Sequence, residues 1–356
     1  MIRRIHSIPL LYSSPTFSRS FATFLPRKQP NVYVSDSNNP HFNLAFEDWL
    51  FRKTDPEERI LYMYRNTPSV IIGRNQNPWK EINLKRLKEL GIPFVRRKSG
   101  GGTVYHDLGN TNYCVFVTRN EFNRTTNAEL VSKALQNLSI PAYVNDRNDI
   151  CVDQFKMSLA FKLVNKRAYH HGTMLIDAQL SHLRGVLGTE KDGMVTKGVA
   201  SVPSPVRNLK EWNDAIDHEA FVGGVAEEFA RKYRVGGEIE RVNEEVLKTN
   251  EYVREVMQEL ESWQWQYGQS PEFTHEMKGL EMTISIRSRH GLITSASVSD
   301  PPDDADLWSA ASELCEVLEG DRYGSLEKTR EYVEGSSQGS YRDSMSRVLD
   351  WLEREM

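Results

Sequence analysis

A run of three consecutive glycines at positions 100–102 constrains this chain more than any other stretch of its sequence. Arg96 and Arg97 lie just before the run, and an alternating segment, 103–110, follows it. Because glycine has no Cβ, a ligand can approach the backbone closely, and positive φ values cost little. Consecutive N–H groups in such a loop form an anion-binding concavity, and a neighbouring arginine can donate two parallel hydrogen bonds to a phosphate or carboxylate. The loop therefore predicts a backbone cradle for a phosphate or nucleotide.

This loop does not match two familiar phosphate-binding motifs. It lacks the Gly-Lys-Ser/Thr of a Walker-type P-loop and the Gly-x-Gly-x-x-Gly spacing of dinucleotide-binding units. Taken alone, three glycines are also compatible with a turn between two strands, with the arginines in solvent. The whole unit Arg-Arg-x-Ser-Gly-Gly-Gly-x-Val-x-His-Asp is far more specific than the triplet.

The composition is that of a globular protein, and 356 residues fit two domains better than one. Hydrophobic residues make up 39% and charged residues 26%, and no apolar run is long enough to span a bilayer. A formal charge of −4 gives no general electrostatic reason to bind nucleic acid. The three cysteines lie far apart without a Cys-x-x-Cys pair, so we predict neither a disulfide framework nor a cysteine zinc site.

Residues 1–30 differ in composition from the rest of the chain. They contain four arginines, one lysine and no acid, with serines at 7, 13, 14, 18 and 20. A basic, serine-rich and acid-poor segment is typical of a mitochondrial transit peptide, and Arg19–Ala22 resembles a matrix-processing site. The short apolar stretch Ile8–Tyr12 contains Pro9, which argues against a secretory signal. We predict that this segment directs the protein to the mitochondrial matrix, the alternative being an unstructured basic tail.

The remaining sequence indicates an α+β fold, with a mixed β-sheet and helices between the strands. We predict a catalytic domain over residues 31–235 and a smaller C-terminal α+β accessory domain over residues 240–356. Leu61–Tyr64 and Ser69–Arg74 are predicted to pair as two strands joined by a turn. Pro78–Leu90 and Glu244–Trp263 are each predicted to form a helix.

Four blocks of the sequence resemble the lipoate–protein ligase A family, in the family's order. They are Ile72–Lys80, the glycine loop, Asn148–Ile150 with Lys156 and His170–Leu175, and Thr196–Val202 with its extension to Leu209. The blocks span residues 31–212 at roughly the family's spacing, and a weaker likeness continues through Tyr267–Phe273. The chain looks like a mitochondrial, fungal-type member. The resemblance implies a catalytic domain of the biotin/lipoate ligase type.

The resemblance implies a two-step reaction. Lipoate and ATP give lipoyl-AMP and pyrophosphate, and the lipoyl group then passes to a lysine of a lipoyl domain. The implied partners are the E2 subunits of 2-oxoacid dehydrogenases and the glycine cleavage H protein, with ATP, Mg²⁺ and lipoate as cofactors or substrates. No protein nucleophile is needed, because the lipoate carboxylate attacks the α-phosphorus. The site needs cations and N–H donors that stabilise the transition state, and Mg²⁺ would add positive charge.

The resemblance also implies which residues act. Lys156 would be catalytic, because an ammonium between the lipoate carbonyl and the α-phosphate can stabilise both transition states. ATP and lipoate would be held by Lys156, Arg97 and the backbone of Gly102, Thr103, Val104 and Tyr105. Residues with weaker support as ligand contacts are Arg74, Gly100, Gly101, His106, Asp149, His171, Gly172, Lys197 and Gly198. Asp149 is either an adenylate contact or a plain acid at a turn, and Lys197 with Gly198 resembles the family's mobile adenylate-covering loop.

The adjacent histidines 170 and 171 suggest a metal site at first sight. Neighbouring strand residues point to opposite faces, so both would rarely bind one ion, and no third ligand stands at the spacing of His-Glu-x-x-His. We therefore predict no metal site, with His171 lining the pocket or forming a hydrogen bond, and His170 structural. Cys151 could be an acyl-enzyme nucleophile, as in some related octanoyltransferases, but its place after Ile150 favours an apolar strand residue.

One segment departs from the family pattern. The family usually has Lys-x-Ser-Gly-Ser-Ala around the catalytic lysine, whereas this chain has Lys156-Met157-Ser158-Leu159-Ala160, one residue shorter and without glycine. Leucine cannot reproduce the close backbone approach of a glycine. Two alternatives to a ligase therefore stay open. One is an amidotransferase that moves lipoyl or octanoyl groups between lipoyl domains without ATP. The other is a non-catalytic member that binds lipoyl domains or a nucleotide, and the glycine loop, Arg97 and Lys156 argue against it.

Overall fold

The computed structural model of the protein describes residues 30–153, 155–156, 159–164, 167–183, 185–188, 191, 193–202 and 205–356. Its strands are β1 (Val32–Ser35), β2 (Ile60–Tyr64), β3 (Ser69–Ile72), β4 (Phe94–Arg96), β5 (Val104–His106), β6 (Asn110–Thr118), β7 (Ala142–Val144), β8 (Ile150–Val152), β9 (Phe155–Lys156), β10 (Leu159–Val164), β11 (Arg167–Leu175), β12 (Met194–Thr196), β13 (Ile239–Val242), β14 (Phe273–Gly279), β15 (Met282–Arg289) and β16 (Leu292–Ser299). Its α-helices are α1 (Pro40–Lys53), α2 (Pro78–Glu81), α3 (Leu84–Leu90), α4 (Arg124–Asn137), α5 (Leu180–Leu183), α6 (His218–Tyr233), α7 (Glu251–Glu261), α8 (Trp263–Gln266), α9 (Ala305–Val317), α10 (Glu327–Gly335) and α11 (Ser340–Glu355). We find no helix in the described residues with the length and hydrophobicity that a membrane span requires.

The largest sheet has six strands in the order β10-β11-β6-β2-β1-β13. The pairs from β10 through β2 are antiparallel, whereas β1 runs parallel to both β2 and β13. Strands β1, β2 and β6 are buried along their whole length, because helices cover both faces of the sheet. Helices α4 and α6 contribute to the hydrophobic core on one side, and α1 and α7 contribute to the core on the other. This mixed sheet confirms the predicted α+β class.

A second sheet, β12-β14-β15-β16, is antiparallel throughout. Buried and more exposed residues alternate along β14 and β15, as expected where one face meets a core and the other meets solvent. The covered face packs on α9 and α11, with Ile284 and Ile286 fully buried in that core. The remaining strands form two three-stranded sheets, β4-β3-β5 and β7-β8-β9.

Strand pairing crosses the predicted domain boundary in both directions. β13, which begins at Ile239, pairs with β1 of the large sheet, and β12, which ends at Thr196, pairs with β14 of the second sheet. Trp79 of α2 also lies in the core of the second sheet. These pairings join the two parts of the chain, and a division at residues 235–240 stays a prediction.

Asparagine caps explain why two predicted helices are interrupted. Asn83 accepts a hydrogen bond from the backbone of Arg86 (2.9 Å) and starts α3, so the predicted helix Pro78–Leu90 is two helices. Asn250 likewise accepts from Val253 (3.2 Å) and starts α7. The stretch predicted as one helix from residue 244 is therefore a 3-10 turn (Glu244–Lys248), α7 and α8. An N-cap side chain satisfies an N–H that lacks an intrahelical partner, which makes it a natural starting point.

The predicted pairing of residues 61–64 with 69–74 is wrong. β2 pairs with β1 and β6, whereas β3 pairs with β4 and β5 in a separate sheet. The connection between them is tied to the start of α1 instead of closing a hairpin. Thr67 donates its backbone N–H to Asn38 (2.8 Å), and the Asn43 side chain donates to Arg65 O and Asn66 Oδ1 (3.0 and 2.9 Å).

Candidate functional site

The glycine loop, residues 97–103, joins β4 to β5 and packs on the turn that follows β3. Arg74 N donates to Ser99 O (2.9 Å), which fixes the loop to this turn. Gly101 has a φ of 95°, a backbone region that favours glycine. Gly73 allows the two segments to meet, because a Cβ on Gly73 would lie 2.0 Å from Gly101 O.

The Arg97 side chain holds the inner side of the glycine loop. Its Nη2 donates to Gly100 O (2.6 Å) and Gly102 O (2.8 Å), and its Nη1 donates to Ile71 O (3.2 Å). Arg97 is 4% exposed, and burial lowers the pKa of its guanidinium. Because each peptide unit is planar and trans, the N–H that follows a carbonyl points away from it. The N–H groups of residues 101 and 103 therefore face away from Arg97.

Arg97 thus fixes the shape of the predicted cradle from the side of the loop opposite to the N–H groups of residues 101 and 103. Its guanidinium satisfies the carbonyls of Gly100 and Gly102, and the N–H groups on the opposite side of the loop are the candidate donors to an anion. The prediction that Arg97 itself contacts a ligand stays a prediction. Arg96 has a different role, since it donates to Gln266 O (2.9 and 2.7 Å) and to Arg74 O (2.8 Å), and so links the glycine loop region to the C-terminal part of the chain.

A serine far along the sequence meets the cradle. Thr103 N donates to Ser201 Oγ (3.0 Å), and Ser201 Oγ donates in turn to Glu81 Oε2 (2.5 Å). Gln76 completes the network, because its Nε2 donates to Glu81 Oε2 and its Oε1 accepts from Thr103 Oγ1, both at 3.0 Å. An anion bound at Thr103 N would have to displace Ser201. Sequence analysis did not name Gln76, Glu81 or Ser201 as site residues, although Gln76 and Ser201 lie within the blocks Ile72–Lys80 and Thr196–Val202, because no local motif signals that these two blocks meet.

We expect Ser201→Ala to loosen the segment 194–202 that crosses the cradle. The change removes the hydroxyl that joins Thr103 N to Glu81, and each such hydrogen bond contributes about 1 kcal/mol. Trypsin should therefore cleave faster after Lys197, an exposed residue of the segment. Val202→Ala is the matched control, because Val202 is 86% exposed. Equal cleavage rates in the two variants would show that Ser201 does not hold the segment.

Strand β5 carries the next predicted ligand contacts, Val104 and Tyr105. Within the described residues, β5 lies at the edge of its three-stranded sheet, where it pairs with β3. Burial raises the pKa of Tyr105 to about 12. At the end of the strand His106 is buried, and Asn66 Nδ2 lies 3.0 Å from its Nδ1. Burial and the charges of His171 and Arg97 lower the pKa of His106 to about 3, so its ring is neutral near neutral pH.

Arg74 faces a cavity of about 390 Å³ beside the glycine loop. Its guanidinium lies 5.6 Å from the ring centre of Trp265, and the Lys98 ammonium lies 4.4 Å from a Trp265 ring centre. Lys98 also forms an ion pair with Glu259. Arg74 and Lys98 therefore line the cavity on the side of the glycine loop, Arg52 of α1 adds a third cation, and the two acids Glu255 and Glu259 line it on the side of α7.

Lys197 and Gly198 lie beside the turn that follows β3. Val199 N donates to Asn75 O (3.0 Å), and a Cβ on Gly198 would lie 3.2 Å from the same oxygen. The Lys197 ammonium pairs with Glu272 (3.1 Å) and is largely exposed. The structure thus places the segment near the glycine loop, while the Lys197 side chain contacts the C-terminal part of the chain.

Asp149 and Lys156 share the small sheet β7-β8-β9. Asp149 is buried at the start of β8, where its N–H donates to Asn145 Oδ1 (2.9 Å). Lys156 ends β9, and its backbone pairs with Cys151. The Lys156 side chain and residues 157–158 lie outside what the structure describes, so the catalytic role of Lys156 stays a prediction. Cys151 is buried within β8, as the apolar interpretation predicts.

The two adjacent histidines point to opposite faces of the large sheet. His170 lies near Phe122 (6.3 Å between ring centres), whereas His171 faces Glu47 of α1. The sequence predicts no metal site, but the structure brings His171 together with Glu47 and Cys114 as three buried groups able to bind a cation. This cluster escaped the sequence analysis because its members come from α1, β6 and β11.

Burial and neighbouring charge set the chemistry of this cluster. Burial and the Glu47 carboxylate raise the pKa of the Cys114 thiol well above its usual value, so Cys114 is not an activated nucleophile. Burial raises the pKa of Glu47, but the His171 charge and the hydrogen bonds from His171, Cys114 and Tyr64 outweigh it and lower that pKa overall. Gly172, next to His171, leaves room for the ring of Tyr113, since a Cβ there would lie 2.4 Å from it.

The arrangement can bind an anion through neutral donors at its rim. The candidate donors are the N–H groups of residues 101 and 103, and Arg74 lies beside them, since its backbone N–H donates to Ser99 O. Cys114 and Cys315 are not activated nucleophiles, since both are buried with raised thiol pKa values. The geometry therefore favours a reaction in which the protein stabilises charge and the substrates supply the reacting atoms.

Comparison with known proteins assigns the family. Residues 39–230 match the family described as lipoyl protein ligase A/B catalytic domain. A Bdellovibrio bacteriovorus protein named lipoate-protein ligase A is 33% identical over 332 residues, which cover 90% of this chain and 97% of that protein.

Two solved structures have a similar fold. The P. falciparum protein LipL1, in complex with lipoate, is 27% identical with a TM-score of 0.58, over 92% of this chain and all of that chain. A lipoate-protein ligase A bound with ATP is 24% identical with a TM-score of 0.56, over 67% of this chain and 98% of that chain, and this likeness concerns the fold. The matched domain and the relative of nearly equal extent show that the chain belongs to the lipoate–protein ligase family.

Proposed function

We propose that this chain is an ATP-dependent lipoate–protein ligase. The observation that carries the proposal is the cradle itself. Arg97 holds the carbonyls of Gly100 and Gly102 on its own side, so the N–H groups of Gly101 and Thr103 face the other way. An adenylate phosphate could accept hydrogen bonds from them once it displaces Ser201 Oγ from Thr103 N. The family supports this choice of anion, because the Bdellovibrio relative is named a lipoate–protein ligase.

The proposed reaction has two steps. In the first, a lipoate carboxylate oxygen attacks the α-phosphorus of ATP, the P–O bond to the β-phosphate breaks, and pyrophosphate leaves. In the second, the amine of an acceptor lysine attacks the lipoyl carbonyl, and AMP leaves with the bonding electrons. Preorganised N–H donors suit both steps, since each develops negative charge at a fixed place. The cradle would hold the adenylate phosphate, and Lys156 would stabilise the charge between the carboxyl and phosphate groups.

Substrates and partners follow from this reaction. ATP would arrive as its magnesium complex, so the ion belongs to the substrate. Glu81 is the acid beside the cradle, and its carboxylate already accepts hydrogen bonds from Ser201 and Gln76. A Mg²⁺ ion held by the ATP phosphates does not require Glu81 as a ligand. The acceptors we propose are the lipoyl domains of 2-oxoacid dehydrogenase E2 subunits and the glycine cleavage H protein.

The experiment that tests the ligase is exchange of labelled pyrophosphate into ATP. We expect the full chain to catalyse exchange only when lipoate is present, because the exchange requires reversible formation of lipoyl-AMP. Omission of lipoate is the control for unrelated ATP chemistry. A folded protein that transfers lipoyl groups between lipoyl domains, yet shows no exchange, would instead be the amidotransferase. That alternative is not favoured, since the relatives above are named ligases.

We also propose that residues 1–30 direct the protein to the mitochondrial matrix. Residues 1–29 lie outside the described part of the chain, so their composition carries this proposal. Four arginines, one lysine and no acid favour import driven by positive charge. A fluorescent fusion of residues 1–30 should enter mitochondria, and a fusion in which all five basic residues are glutamine should not. Equal distribution of the two fusions would contradict the proposal.

A further inference from the structure

Three side chains that are able to bind a metal ion meet on one face of the large sheet. None of them belongs to the glycine loop. Cys114 of β6 and His171 of β11 are direct partners across the antiparallel pair. Glu47 reaches them from α1, which covers that face of the sheet. Glu47, Cys114 and His171 are each no more than 6% exposed. Two paired strands and a packed helix therefore hold the donors in a rigid frame.

The donor atoms are already close to a coordination geometry. Cys114 Sγ lies 2.9 Å from His171 Nδ1 and 3.0 Å from Glu47 Oε2, and the last two atoms are 3.2 Å apart. Tetrahedral zinc with ordinary bond lengths separates such donors by about 3.3–3.6 Å. Each donor would have to move outward by only a few tenths of an ångström. The ion would then sit just outside the plane of the three donor atoms.

Charge balance favours a divalent cation at this place. A buried net charge is costly unless it is compensated. A thiolate from Cys114 and the carboxylate of Glu47 together offset the charge of a divalent ion, while His171 binds as a neutral imidazole. On binding, the metal–sulfur bond replaces the S–H bond and the thiol proton leaves to solvent. The proton on Nδ1 leaves or moves to Nε2, and the occupied site is neutral overall.

We propose that Glu47, Cys114 and His171 form a binding site for one divalent cation of the zinc class. Thiolate, imidazole and carboxylate are the donor types that zinc takes, and three protein ligands leave a fourth position for water or another small donor. Tyr64 orients the site from outside, because its hydroxyl donates to Glu47 Oε2 (3.0 Å). The ion would link α1 to the middle of the large sheet.

The same geometry argues against the alternative that Glu47, Cys114 and His171 form a proton-relay triad. In such a triad the cysteine and the acid contact different nitrogens of the histidine ring. Here Cys114 and Glu47 both contact Nδ1 of His171, and the thiol also contacts the carboxylate directly. Three donors that converge on one point suit a shared cation better than a chain of proton transfers.

Cobalt is the probe that tests the site. Co²⁺ replaces Zn²⁺ in such donor sets, and a bond to thiolate produces a charge-transfer absorption band that carboxylate and imidazole ligands alone do not. We expect titration of the full chain with Co²⁺ to produce this band, to saturate at one ion per chain, and to disappear when Zn²⁺ is added. Binding should also raise the melting temperature, because the ion binds only the folded chain.

Matched variants make the assignment specific. Cys114→Ser should lose the band, whereas Cys151→Ser, which changes another buried strand cysteine outside the cluster, should keep it. Glu47→Gln should weaken Co²⁺ binding at least about tenfold, since it removes one ligand charge. Circular dichroism establishes that each variant is folded. Absence of the band from folded wild-type protein, or its persistence in Cys114→Ser, would overturn the proposal, and neither result bears on pyrophosphate exchange.

Discussion

Replacing Lys156 with alanine should reduce lipoyl transfer by about a thousandfold while leaving the protein folded. Removing one positioned electrostatic group from a preorganised site typically costs about 10²–10³ in rate. Lys156 is proposed to serve both steps, so its loss should affect adenylation and transfer together. Its backbone belongs to β9, a short strand at the end of a three-stranded sheet. We therefore expect little change in stability.

The measurement separates the two steps. Pyrophosphate exchange reports adenylation, and mass spectrometry of a lipoyl domain incubated with synthetic lipoyl-AMP reports transfer alone. Lys133→Ala is the matched control, because Lys133 is an exposed lysine on α4. If folded Lys156→Ala had near-wild-type turnover in both assays, Lys156 would have no part in the mechanism. Loss of exchange with full transfer would confine its role to adenylation.

Local sequence signals predicted the elements that local physics determines. α1 begins at a local signal that the sequence analysis did not name, because Asn39 accepts from His41 N (2.9 Å) and Pro40 needs no hydrogen-bond acceptor at the first helical position. The glycine loop between two strands follows from the glycine triplet and its alternating flank. These features depend on residues within a few positions of one another, so the sequence alone is sufficient.

Long-range pairing and side-chain direction were not predictable in the same way. β2 pairs with β6, about fifty residues away, because burial of both faces outweighs the short turn that would have joined β2 to β3. Arg97 has the residue type of a ligand-binding group, and only the fold reveals that its guanidinium bonds to the loop's own carbonyls. The Thr103–Ser201 contact spans 98 positions, and no local pattern encodes it.

Replacing Gly73 with alanine should abolish ligand binding at the glycine loop and destabilise the protein. The new Cβ would lie 2.0 Å from Gly101 O and 3.0 Å from the carbonyl carbon, both of which are backbone atoms. A backbone contact cannot be relieved by a change of rotamer, so the loop must move away from the turn after β3. Overpacking of this kind costs about 1–3 kcal/mol. The displaced loop would also lose the hydrogen bond from Arg74 N to Ser99 O.

Gly100→Ala is the control that distinguishes crowding from loss of a glycine. Gly100 lies in the same loop, yet a Cβ there would meet no atom within 4 Å. We expect Gly100→Ala to keep the urea midpoint of the wild type and most of its pyrophosphate exchange, and Gly73→Ala to lower the midpoint and lose exchange. If both variants lost exchange with unchanged stability, the loop would need its glycines for ligand approach, and the contact with Gly73 would not set its position. If only Gly73→Ala failed, the close packing of these two turns would be what presents the N–H groups of residues 101 and 103 to the ligand.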